Sequence, residues 1–414
     1  MSPHSLYIVI LVITVFGFVF DQWVNYLNTT TRSRTLPEAL KGFYDEQTYS
    51  KQQDYERVNY SFGLISALLS FLAIMIMLVF GGFAWLDDYV NSYTGSAILQ
   101  AIFFFGAIAI ASDLLSIPMD IYHTFVIEER FGFNKTTPGT FVLDKLKGWL
   151  LASVIGGGIL ALVVVIYEKS GSWFWVLTWL SISAFTLFIS YFYTTLLVPV
   201  FNKLTPLTSG PLRDAIEQVA SHSGFSLKDI SIMDGSKRST RGNAYFSGFG
   251  KKKSIVLFDT LVKEHSVEEL AAVLAHEIGH YKKKHVLKGL ITGILQTGLL
   301  LFVLSLLLKS PVAAFALGAA VPSFHISLIA FGILYSPVSM VLGILLNFES
   351  RKHEYEADRF ALSLSQPGAL QEALKKLSVK NLSNLTPHPW YVFVHYSHPT
   401  LIQRLAELNK SENL

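Results

Sequence analysis

The chain has 414 residues, a mean hydropathy of +0.43 and only 15% charged residues. A soluble protein of this length could not bury so much apolar surface, so this composition excludes an ordinary soluble protein and predicts one that lipid partly covers. The net charge of +3 gives no reason to expect a nucleic-acid partner. Cysteine is absent, which excludes disulfides and thiolate ligands, so any bound metal must use His, Asp or Glu.

Seven apolar runs are long enough to cross roughly 30 Å of hydrocarbon. They lie at residues 5–20, 62–85, 97–119, 149–167, 173–200, 290–308 and 327–348. The first run has no basic segment before it and no small-residue cleavage motif after it, so we expect a retained span rather than a signal peptide. The sequence therefore predicts a mainly α-helical, polytopic membrane protein.

The basic residues test this topology independently of hydropathy, because cytoplasmic loops next to spans collect Lys and Arg. Segments 23–58, 118–148, 201–288 and 349–414 carry 5, 4, 14 and 8 basic residues, which is 31 of the 33 in the chain. Seven spans place these four segments on one face. We therefore expect the N-terminus outside and the C-terminus in the cytoplasm.

The polar segment 201–288 predicts secondary structure of its own. A helix is expected at 210–223, strands at 230–233, 244–249 and 254–258, and a second helix from Val267. The tail from Ser350 is expected to be mostly helical. These patterns divide the chain into spans one to five (1–200), a cytoplasmic region (201–288), spans six and seven (289–348) and a C-terminal helical region (349–414).

A His-Glu-x-x-His motif lies in the second helix of the cytoplasmic region, from His276 to His280. Histidines at i and i+4 share a helix face, so both rings can reach one ion at about 2.0 to 2.1 Å. Glu277 then lies beside that ion and can act as a general base toward a water whose pKa the metal lowers toward about 7. The motif predicts one zinc ion per chain, with an ordinary amphipathic helix as the alternative.

A catalytic zinc needs a third protein ligand and keeps one position open. The metzincin pattern is excluded, because Lys283 and Val286 stand where it has Gly and His. A structural zinc would need a fourth ligand, and His285 is the one nearby candidate. Its i+5 offset from His280 turns it off the metal face, so we expect a surface histidine there.

The third ligand is expected just after the last apolar run. Glu354 and Asp358 share a helix face, so Glu354 can bind zinc while Asp358 accepts a hydrogen bond from the far nitrogen of a ligand histidine. Glu356 should face away. The alternative is a solvated helix face on which these acids pair with Arg351 and Arg359.

With these residues the chain resembles the type I CAAX prenyl protease family, seven-span zinc metallopeptidases of the gluzincin type that trim the C-termini of farnesylated proteins. The resemblance covers essentially the whole chain. Besides the metal motifs, the similar stretches are 125–128, 132–135, 199–203, 243–246 and 397–404. It implies that the spans enclose a chamber open toward the cytoplasm, with Glu354 as the third ligand and Asp358 supporting the ligands.

The resemblance also implies roles for four residues outside the metal motif. Asn243 and Ala244 correspond to an edge strand along which an extended substrate lies, a geometry that grips peptide backbone. His398 corresponds to a residue near the scissile carbonyl, where a donor can stabilise the oxyanion. Arg404 is implied to hold the substrate carboxylate or to brace His398, and a helix-surface arginine is the alternative.

We therefore expect a membrane zinc endopeptidase that cleaves near the C-terminus of prenylated or other membrane-associated proteins. Its partners are then peptide or protein substrates and membrane lipid, without nucleic acid. Two alternatives stay open at this point: a quality-control metalloprotease of the heat-shock type, and a non-catalytic zinc-binding transporter or lipid-binding protein. The lack of cysteine and the C-terminal residues 409–414 favour a bacterial inner membrane over the endoplasmic reticulum.

Overall fold

The computed structural model describes residues 1–33, 35–38, 41–225, 229–247 and 254–412. Within them, six helical stretches are long and apolar enough to cross a membrane. They are Pro3–Thr30, Glu46–Val79, Ala97–Phe131, Pro138–Phe201, His285–Leu307 and Phe324–Leu362. The protein is thus a mainly helical, multi-pass membrane protein.

The predicted seven spans become six stretches because two of them, 149–167 and 173–200, share the stretch Pro138–Phe201. That stretch has 64 residues, about three times the 20 or so that one crossing needs. The helix is interrupted at Gly171, whose φ of 50° and ψ of −121° favour a residue without a side chain. The helices on either side of Gly171 pack against each other, so the stretch contains two crossings joined by a tight turn.

Up to residue 201, the described residues form nine α-helices. They are α1 (Pro3–Thr30), α2 (Glu46–Val79), α3 (Gly82–Tyr93), α4 (Ala97–Tyr122), α5 (Glu129–Phe131), α6 (Pro138–Leu151), α7 (Gly157–Ser170), α8 (Phe174–Phe192) and α9 (Val198–Phe201). Single π-helical turns at His123–Glu128, Ala152–Gly156 and Tyr193–Leu197 join several of them. Side-chain caps fix two of the starts, since Asp45 accepts a hydrogen bond from the Thr48 amide and Thr137 from that of Thr140.

One cluster of charged side chains within this apolar part is paired. Lys145 of α6 donates to Asp113 and Asp120 of α4, with both N···O distances at 2.8 Å. The Trp149 indole donates to the second oxygen of Asp113 at 2.8 Å. Unpaired charges would cost several kcal/mol in hydrocarbon, so this cluster allows α4 and α6 to carry them.

A small sheet follows the fifth crossing. Its strands are β1 (Leu204–Pro206), β2 (Asp229–Met233), β3 (Ala244–Ser247) and β4 (Ser254–Phe258), in the order β1-β2-β4-β3. β2 and β4 pair in parallel, and β1 and β3 form antiparallel edges. The strands predicted at 230–233 and 254–258 agree with β2 and β4, whereas positions 248–249 of the third predicted strand lie outside the described residues.

Nine further helices complete the described chain. They are α10 (Pro211–His222), α11 (Asp259–Glu264), α12 (Val267–Lys282), α13 (His285–Leu307), α14 (Val312–Ala316), α15 (Phe324–Leu362), α16 (Ala369–Lys380), α17 (Pro389–His395) and α18 (Leu401–Glu412). Among them, α13 and α15 are the last two apolar stretches. The start of α12 is set by a capping box, in which Ser266 and Glu269 bond to each other's backbone N–H groups. Buried apolar side chains of α12 then pack on α10 and α15.

Two arginines join the sheet region to the membrane helices. Arg238 donates two hydrogen bonds to Asp144 of α6, at 2.7 and 2.8 Å. Arg241 pairs with Glu128 at 3.2 Å, and Tyr55 of α2 donates to the same carboxylate at 2.6 Å. Bidentate pairs of this kind fix orientation, so the loop leading into β3 is held against the membrane part.

One helix, α15, runs from the membrane into the polar region. Its 39 residues make it about 58 Å long, nearly twice the thickness of the hydrocarbon layer. The predicted span 327–348 accounts for its apolar part, and the more polar last turns follow it. Those turns carry Glu354 and Asp358.

α12 and α15 approach each other closely at Gly279. A Cβ atom added there would lie 3.1 Å from the Ala357 Cα atom, 3.2 Å from its carbonyl oxygen and 3.2 Å from the Phe360 ring. Two of these three atoms belong to helix backbone, which cannot move aside as a flexible side chain would. Glycine at position 279 therefore sets the distance between the two helices.

Replacing Gly279 by Ala is expected to lower the midpoint of thermal unfolding of the detergent-purified protein. The overpacking cost of about 1 to 3 kcal/mol outweighs the gain of up to about 1 kcal/mol in helix propensity. Gly293→Ala in α13 is the matched control, because a Cβ atom there meets nothing within 4 Å. An unchanged midpoint for Gly279→Ala would show that the contact does not limit the packing.

Candidate metal centre

Three potential metal ligands converge where α12 meets α15. The Nε2 atoms of His276 and His280 lie 3.1 Å apart. The Glu354 carboxylate approaches both, with Oε2 at 3.4 Å from His276 Nε2 and Oε1 at 3.2 Å from His280 Nε2. One donor atom from each residue therefore lies within 4.8 Å of the other two.

This donor set fits a zinc ion. Tetrahedral bonds of about 2.0 to 2.1 Å place neighbouring donor atoms roughly 3.3 to 3.4 Å apart, close to the separations seen among His276, His280 and Glu354. The Glu354 side chain is 3% exposed, and no described residue donates a hydrogen bond to its buried Oε2 atom. A buried carboxylate oxygen without a donor is costly, and a cation would satisfy it.

Asp358 and Arg404 contact the His276 ring on the side away from His280 and Glu354. Nδ1 of His276 lies 2.8 Å from Oδ1 of Asp358, which is fully buried. Arg404 of α18 donates to both oxygens of that carboxylate, at 2.9 and 2.5 Å. The Arg404 side chain is thus largely covered, at 12% exposed, and directed at Asp358, rather than exposed on the helix surface or directed at His398.

The two carboxylates favour positive charge at this position. Burial alone lowers the pKa of His276, but the neighbouring carboxylates of Asp358 and Glu354 outweigh it and raise the pKa to about 9. Burial likewise lowers the pKa of Arg404, and the Asp358 charge more than reverses that effect. A divalent cation would supply the charge that a proton on His276 otherwise supplies.

Glu277 lies beside the three candidate ligands without being one of them. It follows His276 in α12 and is half-buried. Within the described ranges, no side chain forms a hydrogen bond or an ion pair with its carboxylate. Both oxygens are therefore available to accept a proton.

His398 reaches the centre from the turn before α18. Its Nε2 atom lies 3.3 Å from Oε1 of Glu354, and its side chain is 64% exposed. The Ser397 hydroxyl lies 2.9 Å from the other ring nitrogen. His398 therefore lies at the solvent-exposed side of the centre.

Asn243 and Ala244 lie at the exposed edge of the sheet. β3 is an edge strand, and Ala244 pairs with Leu257 of β4. The Asn243 carbonyl accepts a hydrogen bond from Phe258, and its side-chain oxygen accepts one from the Ala244 amide. Phe246 of β3 contacts Tyr281 of α12, with ring centroids 5.3 Å apart, so this edge strand packs directly on the helix with the motif.

Two residues that sequence periodicity places away from the centre are part of its surroundings. His285 is 6% exposed, and its Nδ1 atom lies 3.1 Å from Nδ1 of His280. Glu356 contacts the other nitrogen of His285, also at 3.1 Å. The expectation of a surface histidine at position 285 is wrong. The lysine run 282–284 could have indicated this, because it separates two apolar helices and marks a turn. Helical spacing counted from His280 does not continue across such a turn.

The sequence was then compared with known proteins. Residues 25–203 match the family described as CAAX prenyl protease N-terminal, five membrane helices, and residues 206–412 match peptidase family M48. CAAX prenyl protease 1 of Saccharomyces cerevisiae is 33% identical over 95% of this chain and 92% of its own length. The homologues from Arabidopsis thaliana and Homo sapiens are 33% and 32% identical, over 96% of this chain in each case and 97% and 94% of their own lengths.

The fold agrees with a solved member. The crystal structure of Ste24p from S. mikatae superposes with a TM-score of 0.92 at 31% identity, covering 98% of this chain and 99% of that one. The architecture is that of a membrane chamber protease, mainly helical with a small sheet. The chain therefore belongs to the CAAX prenyl protease family, and it is a membrane-embedded metalloprotease that acts on peptides or proteins.

Proposed function

We propose that this protein is a zinc endopeptidase that cleaves prenylated proteins near their C-termini. The observation that carries the proposal is the convergence of His276, His280 and Glu354, whose donor atoms lie within 4.8 Å of one another. These three residues would hold one zinc ion per chain. The neighbouring Glu277 favours a catalytic zinc ion over a structural one, because a structural zinc site has four protein ligands and needs no general base.

Zinc bound at this centre would act as a Lewis acid that makes a water acidic and polarises the substrate carbonyl. Glu277 then removes a proton from the attacking water and delivers it to the leaving amine. His398 donates a hydrogen bond to the oxygen of the scissile carbonyl as negative charge develops there. The edge of β3 at Asn243 and Ala244 pairs with the extended substrate backbone.

The substitution Glu277→Gln is expected to leave zinc bound and to lower the cleavage rate by about 10² to 10⁴-fold, since the amide cannot accept the proton. Zinc content by atomic absorption and turnover of a fluorogenic peptide measure the two effects. Glu268→Gln, on the exposed face of the same helix, should change neither quantity. If Glu277→Gln cleaved as fast as the wild type, another group would be the base.

Arg404 is proposed to act on catalysis through Asp358, while the family resemblance also allows it to bind the substrate carboxylate. Arg404→Ala leaves a fully buried Asp358 charge without its main partner, which typically costs about 3 to 5 kcal/mol. We expect a lower thermal midpoint and an equal loss of turnover on peptides with a free or an amidated C-terminus. Arg359→Ala is the control, because its ion pair with Glu407 is solvent-exposed and worth less than about 1 kcal/mol.

The two roles of Arg404 give opposite results in this assay. A defect confined to peptides with a free carboxylate would assign Arg404 to substrate binding. A defect that is independent of the C-terminal group would assign it to support of Asp358.

The prenyl group is tested with three versions of one CAAX-type peptide: unmodified, farnesylated and acylated with a saturated chain. We expect kcat/KM to be at least about tenfold higher for the farnesylated peptide than for the unmodified one, because a lipid chain concentrates a peptide at the membrane. An acylated peptide that is cleaved equally well would show that membrane anchoring suffices. Equal values for all three would favour a general quality-control protease of the heat-shock type.

The orientation and the compartment are also proposals. The 31 of 33 basic residues in four segments support a centre that faces the cytoplasm, and the division at 1–200, 201–288, 289–348 and 349–414 rests on the same reasoning. The cysteine-free sequence supports a bacterial inner membrane, whereas the relatives from plants, yeast and human support the endoplasmic reticulum. A fluorescent fusion expressed in the source organism decides between them.

A further inference from the structure

A line of polar groups runs from His280 away from the metal centre. Nδ1 of His280 lies 3.1 Å from Nδ1 of His285, the first residue of α13. Nε2 of His285 lies 3.1 Å from Oε2 of Glu356, which is one-quarter exposed. The line thus connects a candidate metal ligand through a buried ring to a carboxylate at the protein surface.

One arrangement of protons satisfies these contacts with both rings neutral. Because Nε2 of His280 faces the other metal ligands, the proton of that ring lies on Nδ1 and is donated to Nδ1 of His285. The proton of His285 then lies on Nε2 and is donated to Glu356. Every nitrogen in the line has one partner, so no polar group is left unpaired in the buried part.

The surrounding structure holds the His285 ring in this position. His353 stacks on it with ring centroids 3.9 Å apart and an interplanar angle of 15°. Lys284, which precedes His285, has a φ of 60°, a left-handed conformation that costs a non-glycine residue roughly 1 to 2 kcal/mol. This residue redirects the chain between α12 and α13, and the turn brings His285 behind His280.

We propose that His285 and Glu356 are positioning residues that orient His280 for metal binding, as Asp358 and Arg404 orient His276. A ligand histidine that donates its far N–H is fixed in one tautomer and one orientation, and it becomes a better electron donor to the metal. This inference rests on the proposed zinc site and adds to it the group that holds its second histidine.

The test uses the full-length, detergent-purified protein and the substitution His285→Phe. Phenylalanine keeps a ring that can stack on His353 and removes both nitrogens. The dissociation constant for zinc, measured by competition with a chromophoric chelator, is expected to rise about 10- to 100-fold. Zinc affinity is read directly, so the result does not depend on turnover.

Glu356→Gln is expected to weaken zinc binding less than His285→Phe, because the amide oxygen still accepts the His285 N–H. When combined with His285→Phe, the substitution Glu356→Gln should cause no further loss of zinc affinity, because Glu356 acts only through the His285 ring. His265→Phe is the matched control for loss of a half-buried histidine. Its ring nitrogens lie 3.2 and 3.4 Å from the backbone carbonyls of Leu261 and Ala373, away from the centre, so zinc affinity should not change.

The possible outcomes separate the two proposals. If the wild-type protein binds no stoichiometric zinc, the metal site itself is wrong. If the wild type binds zinc and His285→Phe binds it as tightly, only the positioning role fails. Equal weakening by His285→Phe and His265→Phe would mean general destabilisation and would also overturn the inference.

Discussion

The contact between Gly279 and Ala357 is the constraint on which the rest of the centre depends. Gly279 immediately precedes His280 in α12, and Glu354 precedes Ala357 by three residues in α15. Ala357 lies about one helical turn beyond Glu354 on nearly the same face of α15, so Glu354 also faces α12 and its carboxylate approaches both histidines. A carboxylate reaches both rings only because the helix backbones approach within van der Waals distance there.

The continuity of α15 links this contact to the membrane. The predicted apolar run ends at residue 348, and Glu354 follows six residues later, about 9 Å farther along the helix axis. Because one helix contains both the apolar run and Glu354, the distance of the candidate metal centre from that run is set by helix geometry rather than by a flexible linker.

The sequence predicted that His276, His280 and Glu354 come together, because these candidate ligands follow local helical spacing. The i, i+4 pair His276 and His280 and the pair Glu354 and Asp358 each lie within one regular helix, where periodicity fixes the face. His285 could not be predicted in this way, since α12 ends at Lys282 and Lys284 turns the chain before α13 begins. The direction of Arg404 depends on how α18 packs against α15, a tertiary contact that no local pattern encodes. The seven predicted spans appear as six helical stretches for a related reason, because only the short turn Gly171–Trp173 separates two crossings within one apolar stretch.

The two ligand histidines differ in how charge reaches them. His276 contacts a buried carboxylate directly, and a buried arginine balances that carboxylate, so the charge beside the first ring is both close and compensated. On the side away from Glu354, the ring of His285 separates His280 from the Glu356 carboxylate, and Glu356 is partly solvated. Electrostatic influence weakens with distance and with solvent access, so the support of His280 must come mainly from orientation, whereas that of His276 combines orientation with charge. This difference follows from the path of the chain. Asp358 lies one helical turn beyond Glu354 on the same face of α15. Glu356 lies on a neighbouring face, and the turn at Lys284 places His285 against that face.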